Sequence, residues 1–223
     1  MYSEKTSLIT PPSFYVRRGD KTDVPGVMAI DQHLMMHSLR SSLEIPPSAE
    51  NTAFRFPDPG HKMRLGMVAT SPEDELVKGD PSTASTHFVD GVDRHQTIAT
   101  TKPFKGLLGS GQIHSFRELS EQRRTFDRSA YILIDTLEPD MLGFQLWKAV
   151  NAALIDEAVA RCRATLRYKV LVSIMMFRKD QPHLVAFRDV FLEAGFKQVG
   201  MIEELSEKDG VLLDRAILQL KLY

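Results

Sequence analysis

Two periods of apolar and polar residues succeed one another along this chain, and the switches between them mark its elements. Ser13-Phe14-Tyr15-Val16-Arg17-Arg18 reads as a short strand. Thr22 and Asp23 offer helix N-caps, and Pro25 suits a first turn, where its missing N–H costs nothing. Val24, Val27, Met28, Ile30, Leu34, Met35 and Leu39 recur at roughly helical spacing through Arg40. Residues 42–102 are rich in Pro, Ser, Thr, Asp and Gly. Strands are conceivable within 63–69 and 87–98, but breakers are dense, and the stretch reads as a partly irregular insertion in a single domain spanning 1–223.

Order returns at Gly106. Residues 107–116 read as a strand carrying Gly109 and Gly111, and the polar stretch 117–124 leads to Ser129-Ala130-Tyr131-Ile132-Leu133-Ile134. That run is nearly all apolar, as a strand covered on both faces should be. After the breaker Glu138-Pro139-Asp140, a long helix is expected over 141–163, with Phe144, Trp147, Val150, Leu154, Ala158 and Cys162 marking its apolar stripe. A buried strand over 168–176 follows, then a helix over 183–194 closed by Gly195. Strands over 197–202 and 212–222 are joined through the turn signal Lys208-Asp209-Gly210. The middle strand–helix–strand unit requires parallel pairing by a right-handed crossover, and the flanking hairpins require antiparallel pairing. The expected fold is α/β, a mixed twisted sheet with helices on both faces.

Composition narrows the function. The chain has 223 residues, 43% of them apolar and 26% charged, with a net charge of −1 and no Lys/Arg block, so neither nucleic acid nor an anionic membrane is expected as partner. The polar segment 1–12 does not resemble a secretory signal, and no apolar run approaches the roughly 18 residues of a membrane span, so a cytoplasmic protein is expected. Cys162 is the one cysteine; it reads as a core thiol, and neither an internal disulfide framework nor a multi-cysteine zinc site can form. His33 and His37 have the i, i+4 spacing of a metal pair but no third ligand nearby, so no metal site is expected. Walker, dinucleotide and nucleophile-elbow motifs do not occur.

Several segments, in order, resemble the GNAT superfamily of acyl-CoA-dependent N-acyltransferases. Tyr15-Val16-Arg17-Arg18-Gly19-Asp20 through Ile30 is similar to its opening strand and helix, and Glu193-Ala194-Gly195-Phe196-Lys197-Gln198-Val199-Gly200 to its closing segment. Asp209-Gly210 through Asp214 and Gln219-Leu220 resembles the final hairpin of the phosphinothricin acetyltransferase branch, and Phe126-Asp127-Arg128-Ser129-Ala130-Tyr131-Ile132 sits where that branch has an acidic residue before Ser-Val-Tyr-Val. The resemblance implies a small amine or amino-acid-like substrate, acetyl-CoA or another acyl-CoA as cofactor, and a monomer or homodimer. It makes Asp127 the expected base. Backbone groups of Ile132, Leu133 and Ile134 would bind the thioester, and Met141, Leu142, Gly143, Phe144 and Gln145 would meet the diphosphate at a helix N-terminus, where N–H groups and the macrodipole favour anions. Arg178 would meet a further phosphate. His114, on the preceding strand, is a second catalytic candidate.

The chain departs from that pattern where the chemistry lies. Glu138 replaces a polar or basic residue, Met141 replaces a glycine, Asp140 adds negative charge, and Phe191 stands where a tyrosine often protonates the leaving thiolate. These departures keep a second expectation open: a GNAT-like protein that has lost acetyl transfer and performs other chemistry, such as a decarboxylation or rearrangement, or serves as a binding scaffold.

Overall fold

A computed structural model describes residues 13–40, 48–53, 55–56, 64–71, 84–89, 104, 106–115 and 128–223. β1 (Ser13–Arg18) leads through a single 3-10 turn into α1 (Val24–His37). The turn is capped by Asp20 and Asp23 reciprocally rather than by Thr22, and Asp23, which precedes α1 without a side-chain cap bond to it, forms a buried ion pair with Arg17 at 2.7 Å. Then follow α2 (Ala49–Ala53), β2 (Arg64–Thr70), β3 (Ala84–Phe88), β4 (Leu107–Ser115) and β5 (Ser129–Thr136). The C-terminal half contains α3 (Pro139–Leu142), α4 (Phe144–Arg161), β6 (Val170–Phe177), α5 (Pro182–Glu193), β7 (Lys197–Lys208) and β8 (Val211–Lys221).

The eight strands form one mixed sheet in the order β3-β1-β2-β4-β5-β6-β8-β7. Only β5 and β6 pair in parallel, across the crossover through α4. Side-chain alternation divides helices between the faces. Ile134 and Gly111 meet Leu154 of α4, and Thr136 meets Asn151 of α4. Asp31 of α1 lies on the other face, beside Asp135 of β5. Of the expected stripe, Phe144 is 49% exposed, whereas Trp147, Val150, Leu154 and Ala158, and Cys162 just past the end of α4, are each 0% exposed. At about 1.5–3 kcal/mol per fully buried large apolar side chain, this stripe is what holds the crossover to the sheet.

Two expectations are adjusted. Within residues 42–102 the strand conceived over 63–69 is β2, which lies between β1 and β4, whereas the one conceived over 87–98 is β3 at Ala84–Phe88, which extends the sheet beyond β1. Their signal was weak because β2, covered on both faces, is a continuous apolar run without alternation, whereas β3 is a short, polar edge strand. The helix expected over 141–163 breaks at Gly143, whose φ of 76° and ψ of 143° end α3 and begin α4. That conformation is essentially restricted to glycine.

Candidate functional site

β5 and β6 pair only at Ser129↔Val170, Ala130↔Leu171 and Tyr131↔Val172, and then part. Arg128 O accepts from β6-side N–H groups, whereas Leu137 N donates to Leu108 of β4. By strand parity, the backbone groups of Ile132, Ile134 and Thr136 therefore face the gap that β6 has left. Tyr131 crosses the base of the gap, its hydroxyl donating to Ile174 O at 3.2 Å. Above it opens a small cleft lined by Leu133, Ile134, Asp135, Ser173, Met175 and Arg215 among others.

The cleft carries unusual electrostatics on its α1 side. Asp31 is 1% exposed and Arg55 holds it at 2.8 and 3.1 Å. The same guanidinium stands 3.7 Å from Asp135. Arg55 is shared between the buried Asp31 and the partly buried Asp135, an arrangement that favours holding a proton on the pair. Burial, then the charge of Asp135, pushes the Asp31 carboxyl up to about 7. Burial likewise raises Asp135, against the opposing pull of Arg55 and Arg40. The hydrogen-bond network orients the Gln112 amide: its oxygen accepts from Arg55 at 3.1 and 3.2 Å, and its nitrogen donates to His114 Nε2 at 2.8 Å. His114 therefore connects to the acidic pair through Gln112 and Arg55. Burial pushes Tyr131 up to about 12, so its phenol is a donor at neutral pH.

The opposite wall is built around Arg40, just beyond α1. Its guanidinium donates to Glu138 Oε1 at 3.2 Å and to both oxygens of Thr136. It lies 4.7 Å from the Phe187 ring centre and 5.6 Å from that of Trp147. Arg40 therefore starts from the α1 side and ends against α4 and α5, through the gap between the strands. It takes the carbonyl of Thr136 that a continuing β6 would have taken.

The other residues expected from sequence are distributed as follows. Leu133 and Ile134 line the cleft, and the Ile132 side chain is fully buried while its backbone faces the gap. Met141, Phe144 and Gln145 are exposed at the helix start, and Leu142 is buried. The N–H groups of Leu142 and Gly143 are consumed within α3, bonding to Glu138 O and Pro139 O, so the free donors of this terminus begin at Phe144. Arg178 is exposed and paired with Asp180 at 2.6 Å, with a further bond to Leu212 O. Phe191 is fully buried, in edge contact with Phe187 and Phe196. Asp127 lies outside the described residues. Burial pushes the Cys162 thiol up to about 12, so it is not a nucleophile. Among the described residues, no cluster of His, Cys, Asp or Glu is arranged to hold a metal.

Arg40, Asp31, Arg55 and Asp135 were not singled out from sequence. Asp31 had a legible signal: it interrupts the stripe Val24, Val27, Leu34 at an inward position, and a carboxylate there needs a partner. Nothing in the sequence identifies that partner as Arg55.

No family model matches the chain, and no curated protein matches it in sequence. Solved structures do match. A GNAT superfamily phosphinothricin acetyltransferase from Sinorhizobium meliloti, in complex with acetyl-CoA, superposes with a TM-score of 0.63 at 20% identity, over 93% of this chain and 87% of that one. yncA from Salmonella typhimurium, with its cofactor acetyl-CoA, gives 0.65 at 15% identity over 94% of each chain. An N-acetyltransferase from Staphylococcus aureus gives 0.64 at 14% identity, over 94% of this chain and 99% of that one. The fold is that of the GNAT acetyltransferases.

Proposed function

We propose that the chain is an acyl-CoA-dependent N-acyltransferase acting on a small amine or amino-acid-like substrate. One observation carries this reading: β5 and β6 part after three residue pairs, turning backbone groups of β5 and the Asp135 carboxyl toward a single cleft. The backbone of Ile132 and Ile134 suits an extended chain with amide groups, which is the pantetheine arm of CoA. The fit at the diphosphate end is poorer, because Glu138 and the exposed Asp140 stand at the helix start; Arg40 pairs with Glu138, and Lys208 also feels its charge.

An acyl-CoA supplies an activated acyl carbon; the remaining tasks fall to the chain. Backbone N–H groups of β5 orient the thioester and polarise its carbonyl. Asp135 attracts the substrate ammonium, and once ionised it takes a proton to leave a neutral amine nucleophile. Asp31 and Arg55 tune Asp135 by sharing one proton and one positive charge. Arg215 lines the same cleft and suits a substrate carboxylate. Asp127 and His114 remain proposed participants, Asp127 by its place in the family pattern and His114 through Gln112. Phe144 and Gln145, whose N–H groups open α4, and Arg178 remain the proposed phosphate contacts, whereas Met141, Leu142 and Gly143 spend their N–H groups within α3.

The test is acetyl-CoA titration followed by thiol release with a panel of amines. At a hundredfold excess over Kd, binding should stabilise the fold by about 2.7 kcal/mol, a melting shift of roughly 5–10 °C. Asp135→Asn should lower kcat/KM by about a hundredfold or more and remove the acidic limb of its pH profile; Asp127→Asn tests the family position in the same assay. Absence of both binding and thiol release overturns the reading. The second reading, a GNAT fold that has lost acetyl transfer, is favoured by Arg40 filling the passage beside Glu138.

A further inference from the structure

Arg40 is a long cation drawn through a gap in the sheet, and nothing about α1 as a helix requires it there. The helix ends at His37, where Ser38 N and Lys208 Nζ of β7 both donate to Leu34 O, the latter at 3.2 Å, and Lys208 also donates to Ser38 O. The Arg40 side chain is 5% exposed, and each of its three guanidinium nitrogens bonds to β5 or to Glu138. Its guanidinium carbon lies over the rings of Phe187 on α5 and Trp147 on α4. These contacts span the interval between α4 and α5 and the carbonyl at the end of β5. An extended thiol-bearing arm lying along β5 would have to occupy that same interval.

We propose that Arg40 is a gate: in this state it closes the passage between β5 and β6, with Glu138 as its latch, and acyl-CoA binds only by displacing it. The proposal rests on the acyltransferase reading. Arg40 and Glu138 are 5% and 10% exposed, so displacing the guanidinium costs their ion pair, and the cofactor must offset that cost by giving the guanidinium its phosphates while Glu138 turns to water. Glu138, at the position where the family pattern has a polar or basic residue, is thereby given a role: it holds the gate shut in the absence of ligand.

Trp147 makes the gate observable, since it is the only tryptophan and is 0% exposed beneath Arg40. Arg40→Ala alone would leave Glu138 buried and unpaired near the diphosphate, so the decisive protein is the double variant Arg40→Ala/Glu138→Gln, which empties the passage without stranding a charge. Acetyl-CoA should bind it about tenfold more tightly than wild type, by calorimetry. Glu138→Gln alone, which loosens the latch but leaves the arginine, should give a smaller gain in the same direction. Acrylamide should quench Trp147 severalfold more efficiently in the double variant, and acetyl-CoA should shift Trp147 emission in wild type as Arg40 leaves the ring.

Equal or weaker acetyl-CoA binding by the double variant, with wild type binding normally, overturns the gate and leaves the acyltransferase reading intact; weaker binding would make Arg40 an anchor for the phosphates instead. Failure of both proteins to bind acetyl-CoA overturns the acyltransferase reading and the gate with it.

Discussion

Replacing Asp31 by Asn tests the shared-proton account of the buried acidic pair. Asp31 has its carboxyl pushed from 3.8 up to about 7, first by burial and then by Asp135. A carboxyl whose pKa is raised on folding binds its proton more tightly in the native state. Its contribution is therefore present below the unfolded value and is lost as pH rises from about 4 to about 7, after which it is gone. At about 1.36 kcal/mol per pH unit, the ceiling on that loss is about 4 kcal/mol. Arg55, 2.8 Å away, already holds that value down by stabilising the ionised form. Asparagine mimics the protonated side chain and cannot ionise. Urea unfolding at pH 5, 6, 7 and 8 should find the two proteins of similar stability at pH 5 and the variant more stable at pH 8, by about 1–4 kcal/mol. His87 titrates with the opposite sign, because burial lowers its pKa, but it is common to both proteins and cancels in the difference. A stability difference that does not change between pH 5 and 8 would refute the shared proton. A variant that grows less stable as pH rises would show that Arg55–Asp31 is an ordinary ion pair.

Two further outcomes follow from local geometry. Gly143→Ala, at φ 76° and ψ 143°, should cost about 1–3 kcal/mol in urea unfolding, because a Cβ is strained there; an unchanged midpoint would mean that the break between α3 and α4 is not fixed by glycine. Cys162, fully buried with its thiol pushed up to about 12, should resist a thiol reagent in the native protein and react promptly in urea; fast native modification would contradict its burial.

Local pattern was enough for most of the framework. The near-continuous apolar run at Ser129-Ala130-Tyr131-Ile132-Leu133-Ile134 became β5, and the stripe from Trp147 to Cys162 became the buried face of α4. Asp209-Gly210 became the β7–β8 turn, with φ of 53° and 75°. Each of these rests on a period or a turn residue that acts over a few positions, so the sequence carries it without knowledge of the rest of the chain. Only the tertiary structure decided where β2 and β3 join the sheet, since strand partners are chosen by packing across the sheet and not by the strand's own residues. It also decided the site. Arg40 and Glu138 are 98 residues apart, and Asp31 and Arg55 are 24 apart. A charged side chain announces in sequence that it needs a partner or water, but which partner it meets depends on where the strands part and what reaches through the gap.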